Sequence, residues 1–196
     1  MKVGVDVAPL VLDAAGTARY VRGLVGALEE RDDVELRRLT WGGRGRVTAV
    51  ARDVGWYLAG LPLHARGLDV LHCTTFRAPL RAPLPVVVTV HDLAVLRHPE
   101  YFTAWTRVYG RTLLVRVLRA ADRVLAVSEF TKREVTALAG VPPDRIRVAH
   151  NATSDVFTPE GPAAEGDYVL AVGTLEPRKN LPRLIDATRR LGVELR

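Results

Sequence analysis

Cysteine is all but missing from this chain. Its 196 residues include only Cys73, so neither an intrachain disulfide nor a cysteine-based zinc site can form. No apolar run approaches the roughly 20 residues needed to cross a bilayer, and no charged-then-apolar leader precedes the first strand pattern. On those grounds the chain reads as cytoplasmic. Lysine is scarce too, with Lys2, Lys132 and Lys179 the only three among 28 cations. The arginines are scattered instead of gathered into a tract, so the net charge of +6 does not point to nucleic acid. His64, His72, His91, His98 and His150 include no i, i+4 pair with an acidic partner, which removes the zinc-hydrolase pattern. The G-x-S-x-G elbow and the G-x-G-x-x-G dinucleotide fingerprint are both lacking.

What is present is enough apolar residue, 48% of the chain, to bury a core, arranged in alternating periods. Lys2 to Val7 alternates as a strand, and Gly16 to Glu30 carries Tyr20, Val21, Leu24, Ala27 and Leu28 at helical spacing. Val34 to Leu39 reads as a second strand, and Val47, Val50, Ala51, Val54 and Leu58 mark the apolar face of the next helix. Asp69 to Cys73 and the β-branched run Pro85 to His91 are strands, the latter central because it is apolar throughout. A helix over Tyr101 to Ala121 follows, with Arg107 and Arg111 inside its apolar arc, which argues for a packing helix over a membrane-surface one. Next come a strand at Arg123 to Val127, a helix capped by Ser128 and stopped at Gly140, and a strand at Ile146 to Ala149.

Strands alternating with helices predict an α/β fold: an open, mostly parallel Rossmann-like sheet with helices on both faces, followed by an incomplete second domain of the same kind. The domain frame is 1–153, then a Pro, Gly and acid-rich linker over 154–167, then 168–196. In that last piece Tyr168 to Val172 is expected to be a buried strand, Asn180 to cap a helix lined by Leu181, Leu184, Ile185, Thr188 and Leu191, and Val193 to Arg196 to begin another strand.

Four constellations carry candidate chemistry. In Asp13-Ala-Ala-Gly-Thr-Ala-Arg-Tyr20, after the first strand, Gly16 would let a ligand approach the backbone, though a flexible turn explains it equally well. Thr89-Val-His-Asp92 ends the central strand, where His91 can bond a substrate hydroxyl and Asp92 can orient it or the loop. Val127-Ser-Glu-Phe-Thr131 also leads from a strand into a helix. Ser128 is most simply its cap, and Glu129 complements the helix dipole. In Val172-Gly-Thr-Leu-Glu-Pro-Arg-Lys-Asn180, Arg178 and Lys179 stand beside a helix start, where unpaired N–H groups favour a phosphate.

Taken in order, Gly16-x-x-Arg-Tyr20, Val88-Thr-Val-His-Asp92, Asp122-Arg-Val-Leu-Ala-Val-Ser-Glu-Phe-Thr131, Val148-Ala-His-Asn151 and Val172-Gly-Thr-Leu-Glu-Pro-Arg-Lys-Asn180 resemble glycosyltransferase family 4, in particular its bacterial mannosyltransferase-like members. The resemblance implies two Rossmann-like domains facing one another, the first binding a glycan or lipid-linked acceptor and the second a nucleotide-sugar donor. It also implies transfer with retention and without a metal or other cofactor. By motif position Arg178 and Lys179 hold the donor diphosphate, His91 touches the donor sugar and is expected with Asp92 to be catalytic, and the loop at Gly16 lies near the phosphates or the acceptor. Arg19, Tyr20, Ser128, Glu129 and Asn151 belong to the acceptor side or the cleft. Three positions depart from the family pattern: Ala15 where a glycine is usual, Thr174 where arginine is common, and Ala152 where a glycine is usual. The family's late Glu-containing motif lies beyond residue 196, so the chain is expected to be inactive alone. Peripheral membrane contact and self-association through the last segment are further contacts this reading allows. A non-catalytic, nucleotide- or anion-binding Rossmann-like module is the other reading the residues leave open.

Overall fold

The computed structural model describes residues 1–12, 15–43, 45–153, 157–158, 166–173 and 175–196. Asp13 and Ala14 of the first loop, Thr174, and most of the expected linker lie outside the described residues. The chain separates into two compact units, Met1–Ala152 and Thr153–Arg196.

In the first unit, strands β1 (Lys2–Asp6), β2 (Glu35–Leu39), β3 (Val70–Cys73), β4 (Val86–Val90), β5 (Arg123–Ala126) and β6 (Ile146–Val148) form one parallel sheet in the order β2-β1-β3-β4-β5-β6. The β-branched strands β1 and β4 are buried along nearly their whole length, as suits a parallel sheet covered on both faces. In β1 the alternation is literal. Val3, Val5 and Val7 pack with Val21 and Val25 of α2 (Ala15–Glu29), which follows the short α1 (Ala8–Leu12). A side chain at Gly4 would point the other way, since a Cβ there would lie 2.5 Å from Leu68 Cδ1 and 3.1 Å from Leu39 Cδ1. Leu39 belongs to the larger cluster that also holds Leu71, Val88, Leu118 and Ile146.

Two aspartates tie the edge of the sheet where the strands begin. The Asp69 carboxylate, just before β3, accepts from the Lys2 amide of β1 at 2.7 Å. Asp122, just before β5, accepts from the Val86 amide of β4 at 2.8 Å. Each side chain thus satisfies a backbone donor at the start of the neighbouring strand, a group that would otherwise lack a protein partner.

The helix expected around Val47 to Leu58 is longer and turned the other way. It runs through α3 (Arg46–Ala51), a π-helical stretch Arg52–Gly60 and α4 (Leu61–His64). Val47 (84%), Val50 (39%) and Val54 (44%) are exposed, while Arg52, Asp53, Trp56 and Tyr57 are buried. The face is decided by specific bonds to Asp53 and Tyr57, which outweigh the small apolar surface of three valines.

Beyond β4 come α5 (Ala94–Arg97), α6 (Ala104–Tyr109), a π-helical stretch Gly110–Leu114 and α7 (Val115–Ala120). Thr103 caps α6 by accepting from the Thr106 amide, so the helix starts later than Tyr101. Arg107 and Arg111 are exposed, outside the buried arc of Tyr109, Leu114, Val117 and Leu118. After β5, α8 (Glu129–Glu134) continues to Ala139 and ends at Gly140, whose φ of 66° is the left-handed conformation expected of a glycine cap.

The second unit pairs β7 (Tyr168–Val169) in parallel with β8 (Glu194–Leu195) through α9 (Leu181–Leu191), a right-sized βαβ element. The strand predicted over Tyr168 to Val172 is neither that long nor buried. Leu170 is 63% and Val172 88% exposed, because β8 is the only strand beside it among the described residues. Asn180 stands at the N-cap position of α9 as expected, and its carbonyl accepts from the Arg183 and Leu184 amides. It adopts φ 51°, ψ 39°, a left-handed conformation that asparagine tolerates, and its side chain makes no capping bond.

Candidate functional site

In an open parallel sheet, ligands bind beyond the carboxyl ends of the strands, at the point where the strand order reverses. Here β2 lies on one side of β1 and β3 on the other, so that point is between β1 and β3. The Asp6 carboxylate at the end of β1 is fully buried. Its Oδ1 accepts from the Ala8 amide at 3.1 Å and its Oδ2 from the Tyr57 hydroxyl at 2.8 Å. Burial pushes its pKa up to about 6 against the opposing pull of those bonds and of Arg52 and Arg77, and it pushes the Tyr57 phenol well above its ordinary value. The Thr74 hydroxyl at the end of β3 donates to the Asp6 carbonyl at 2.8 Å, tying the two strand ends together.

His91, at the end of β4, sits against this pair. Its Nε2 lies 3.1 Å from the Thr74 carbonyl, a contact that requires the proton on Nε2 and leaves Nδ1 as an acceptor. Burial lowers its pKa, so the imidazole is neutral at neutral pH. The Tyr20 ring meets it edge-on with centroids 4.9 Å apart. Behind them the Tyr20 hydroxyl, the Thr89 hydroxyl and His72 Nε2 form a chain with spacings of 3.1 and 2.8 Å. His72 is buried and its pKa falls to about 4 for that reason.

His91, Asp92 and Tyr20 are thus brought together. Asp92 is exposed and its Oδ1 accepts from the Ala94 amide at 2.9 Å, fixing the loop. Two cavities share His91 and Asp92. One, of about 220 Å³, is also lined by Thr17, Tyr57, Phe76 and Arg77. The other, of about 490 Å³, includes Arg97, Phe130, Thr131 and Glu134. In the latter, Arg97 makes a two-pronged pair with Glu134 at 2.8 and 2.6 Å, which holds the Glu134 carboxyl below its usual range.

Ser128 caps α8, accepting from the Thr131 amide at 3.1 Å, and Glu129 is exposed in the first turn. Gly16, in the first turn of α2, has no positive φ, and a Cβ there would meet nothing within 4 Å. Backbone conformation does not demand glycine at this position, so the turn explanation lapses and the open space remains. Arg19 is exposed on α2, and Asn151 is exposed beyond β6. Arg178 and Lys179 are not in this unit. They lie in the 3-10 turn Pro177–Lys179 before α9, where Lys179 is exposed and lines a cavity of about 620 Å³ walled by Leu170, Val172, Leu184 and Leu195. The Arg178 side chain lies outside the described part.

Sequence reasoning missed Asp6, Tyr57, Asp53, Arg77 and Trp105. Asp6 offered the same signal as Asp92, a carboxylate at the end of an apolar strand. Asp53 offered none, because Arg77 and Trp105, which bond its two oxygens, are distant in sequence. Among the described residues no group of three or more His, Cys, Asp or Glu is placed to hold a metal ion, and no helix is long and apolar enough to cross a membrane.

The family model described as Glycosyltransferase Family 4 matches residues 14–157, most of the chain and nearly all of the sheet around His91. The chain belongs to glycosyltransferase family 4. This family 4 chain is 33% identical over 138 residues to the O-antigen chain mannosyltransferase B of Escherichia coli, covering 65% of its own length. It spans 36% of that relative. A crystal structure of a glycosyltransferase from Rickettsia africae ESF-5 aligns with 76% of the chain and 42% of its own at a TM-score of 0.35 and 13% identity.

Proposed function

We propose that this chain supplies the acceptor-side domain of a retaining glycosyltransferase together with the phosphate-binding turn of its donor side. The whole enzyme would move a sugar, mannose being the first to test, from a nucleotide-diphosphate sugar to a glycan or lipid-linked acceptor at the cytoplasmic face of the plasma membrane. The observation that carries this reading is the neutral His91 imidazole, held at the end of β4 with Nδ1 left to accept from a sugar hydroxyl, in a chain of this family. Asp92 holds the His91 loop in shape. Gly16 leaves room for a ligand at the start of α2, and Arg19, Tyr20, Ser128, Glu129 and Asn151 serve the acceptor side. Arg178 and Lys179 bind the diphosphate and offset the charge that builds on it as the glycosidic bond breaks, which needs no metal.

Calorimetry with guanosine and uridine diphosphate sugars tests the donor half. Either Arg178→Ala or Lys179→Ala should weaken binding about tenfold, as expected for loss of one charge-assisted contact. Unchanged affinity in both variants would remove the phosphate assignment. Since the chain spans 36% of the Escherichia coli relative, binding without turnover is expected of it alone. Radiolabelled transfer by the 196-residue chain at the rate of an intact family member would contradict that expectation.

A further inference from the structure

The smaller cavity beside His91 contains a cation that the proposed chemistry has not used. Arg77 lies just beyond β3 and is 23% exposed. Its Nε donates to Asp53 Oδ1 at 2.8 Å, and its guanidinium carbon lies 5.3 Å from the centroids of both the Phe76 and Tyr109 rings. Asp53 is fully buried, and its second oxygen accepts from Trp105 Nε1 at 2.9 Å. The π-helical stretch, the loop after β3 and α6 thus meet at a single carboxylate. An arginine held at Nε and flanked by two rings has lost most of its rotamer freedom before any ligand arrives. Its terminal nitrogens, four N–H donors, make no hydrogen bond among the described residues.

The charge around the cavity selects the ligand. Arg52 and Arg77 face Asp53, and both also act on Asp6, while Asp92 lines the opening. Two guanidiniums against three carboxylates leave no positive surplus for an anion at neutral pH. Uncharged hydroxyls fit better, because Arg77 can donate while Asp92, Thr17 and Thr75 accept. Tyr57 and Phe76 supply apolar surface to a ring face. A volume of about 220 Å³ is below the 300 to 1,000 Å³ of pockets that enclose drug-sized ligands, and suits one six-membered ring.

We propose that Arg77 is a specificity-determining residue that donates hydrogen bonds to the hydroxyls of an uncharged pyranose of the acceptor in this cavity, with Asp53 and Trp105 as its positioning residues. This rests on the reading of the first unit as the acceptor side. The test is amide NMR of the 196-residue chain titrated with methyl α-mannoside, methyl α-glucoside and mannose 6-phosphate. At least one neutral glycoside should bind with a millimolar dissociation constant and shift the Thr75, Phe76 and Arg77 amides. Arg77→Lys, which keeps the charge but loses the fork, should weaken it about tenfold. Trp105→Phe, which removes the bond to Asp53 and part of the ring while keeping an aromatic side chain, should weaken it about threefold, and the double variant should bind no more weakly than Arg77→Lys alone. Should Arg77→Lys fail to fold, Trp105→Phe decides. No binding of either glycoside, unchanged affinity in the variants, additive losses, or a phosphorylated sugar binding more than about tenfold tighter through Arg77 would each overturn the proposal. Nucleoside diphosphate titrated into the same samples keeps the two readings apart. Its binding depends on Arg178 and Lys179 and should ignore Arg77→Lys, so loss of either signal leaves the other interpretable.

Discussion

At the scale of single residues, Asp6 and His72 are neighbours in the sheet whose titrations oppose one another. The folded Asp6 pKa is raised from 3.8 to about 6, so the fold takes up a proton that the unfolded chain releases between those values. Its contribution is complete below the unfolded value and is lost as pH rises through 6. His72 is lowered from 6.5 to about 4, so the fold refuses a proton that the unfolded chain accepts, and its contribution is lost as pH falls through that window. Each amounts to about 3 kcal/mol by linkage, and in the native chain they largely cancel between pH 4 and 6. Asp6→Asn should therefore unmask the histidine. Its thermal midpoint should climb steeply from about pH 4 to 6.5 while that of the native chain stays nearly level. Parallel profiles for the two proteins would refute the burial of a titrating Asp6. The Tyr20, Thr89 and His72 chain adds a local consequence. Thr89 has one hydroxyl proton, so in the tautomer where His72 Nε2 accepts it, Tyr20 must be the donor to Thr89.

At the scale of elements, the clearest packing constraint is on β1. Gly4→Ala places a methyl against the ends of Leu68 and Leu39, which can yield, and should cost about 1 kcal/mol, whereas Gly4→Val should cost about 3 kcal/mol in urea unfolding. Equal costs would mean that the strand shifts instead of the leucines. β1 was legible from its alternating valines and β4 from its unbroken β-branched run, which places His91 and Asp92 at a strand end from the sequence alone. The helices were legible in place, but not always in length or facing. The Val47, Val50 and Val54 stripe has faultless spacing and faces solvent, because Asp53 and Tyr57 on the other side bond groups remote in sequence. Periodicity records which residues share a face, and only tertiary partners say which face is buried. Asn180 was legible as the cap position of α9 but not in manner, since the residue type suits both a side-chain cap and a left-handed turn and here adopts the latter.

At the scale of the whole molecule, all six strands of the large sheet and both apolar clusters lie before Ala152. Residues 1–152 should then fold alone, with one cooperative thermal transition within about 3 °C of the full chain. A drop beyond about 10 °C would show that the remaining residues stabilise the sheet. The sheet itself has two edges of different character. Where strands begin, Asp69 and Asp122 fasten each neighbour's backbone. Where strands end, the loops carry His91, Arg77 and Thr74. A laboratory library that randomised only the latter loops would leave strand register clamped from the opposite edge, so new binding preferences could be sought without re-solving the folding problem.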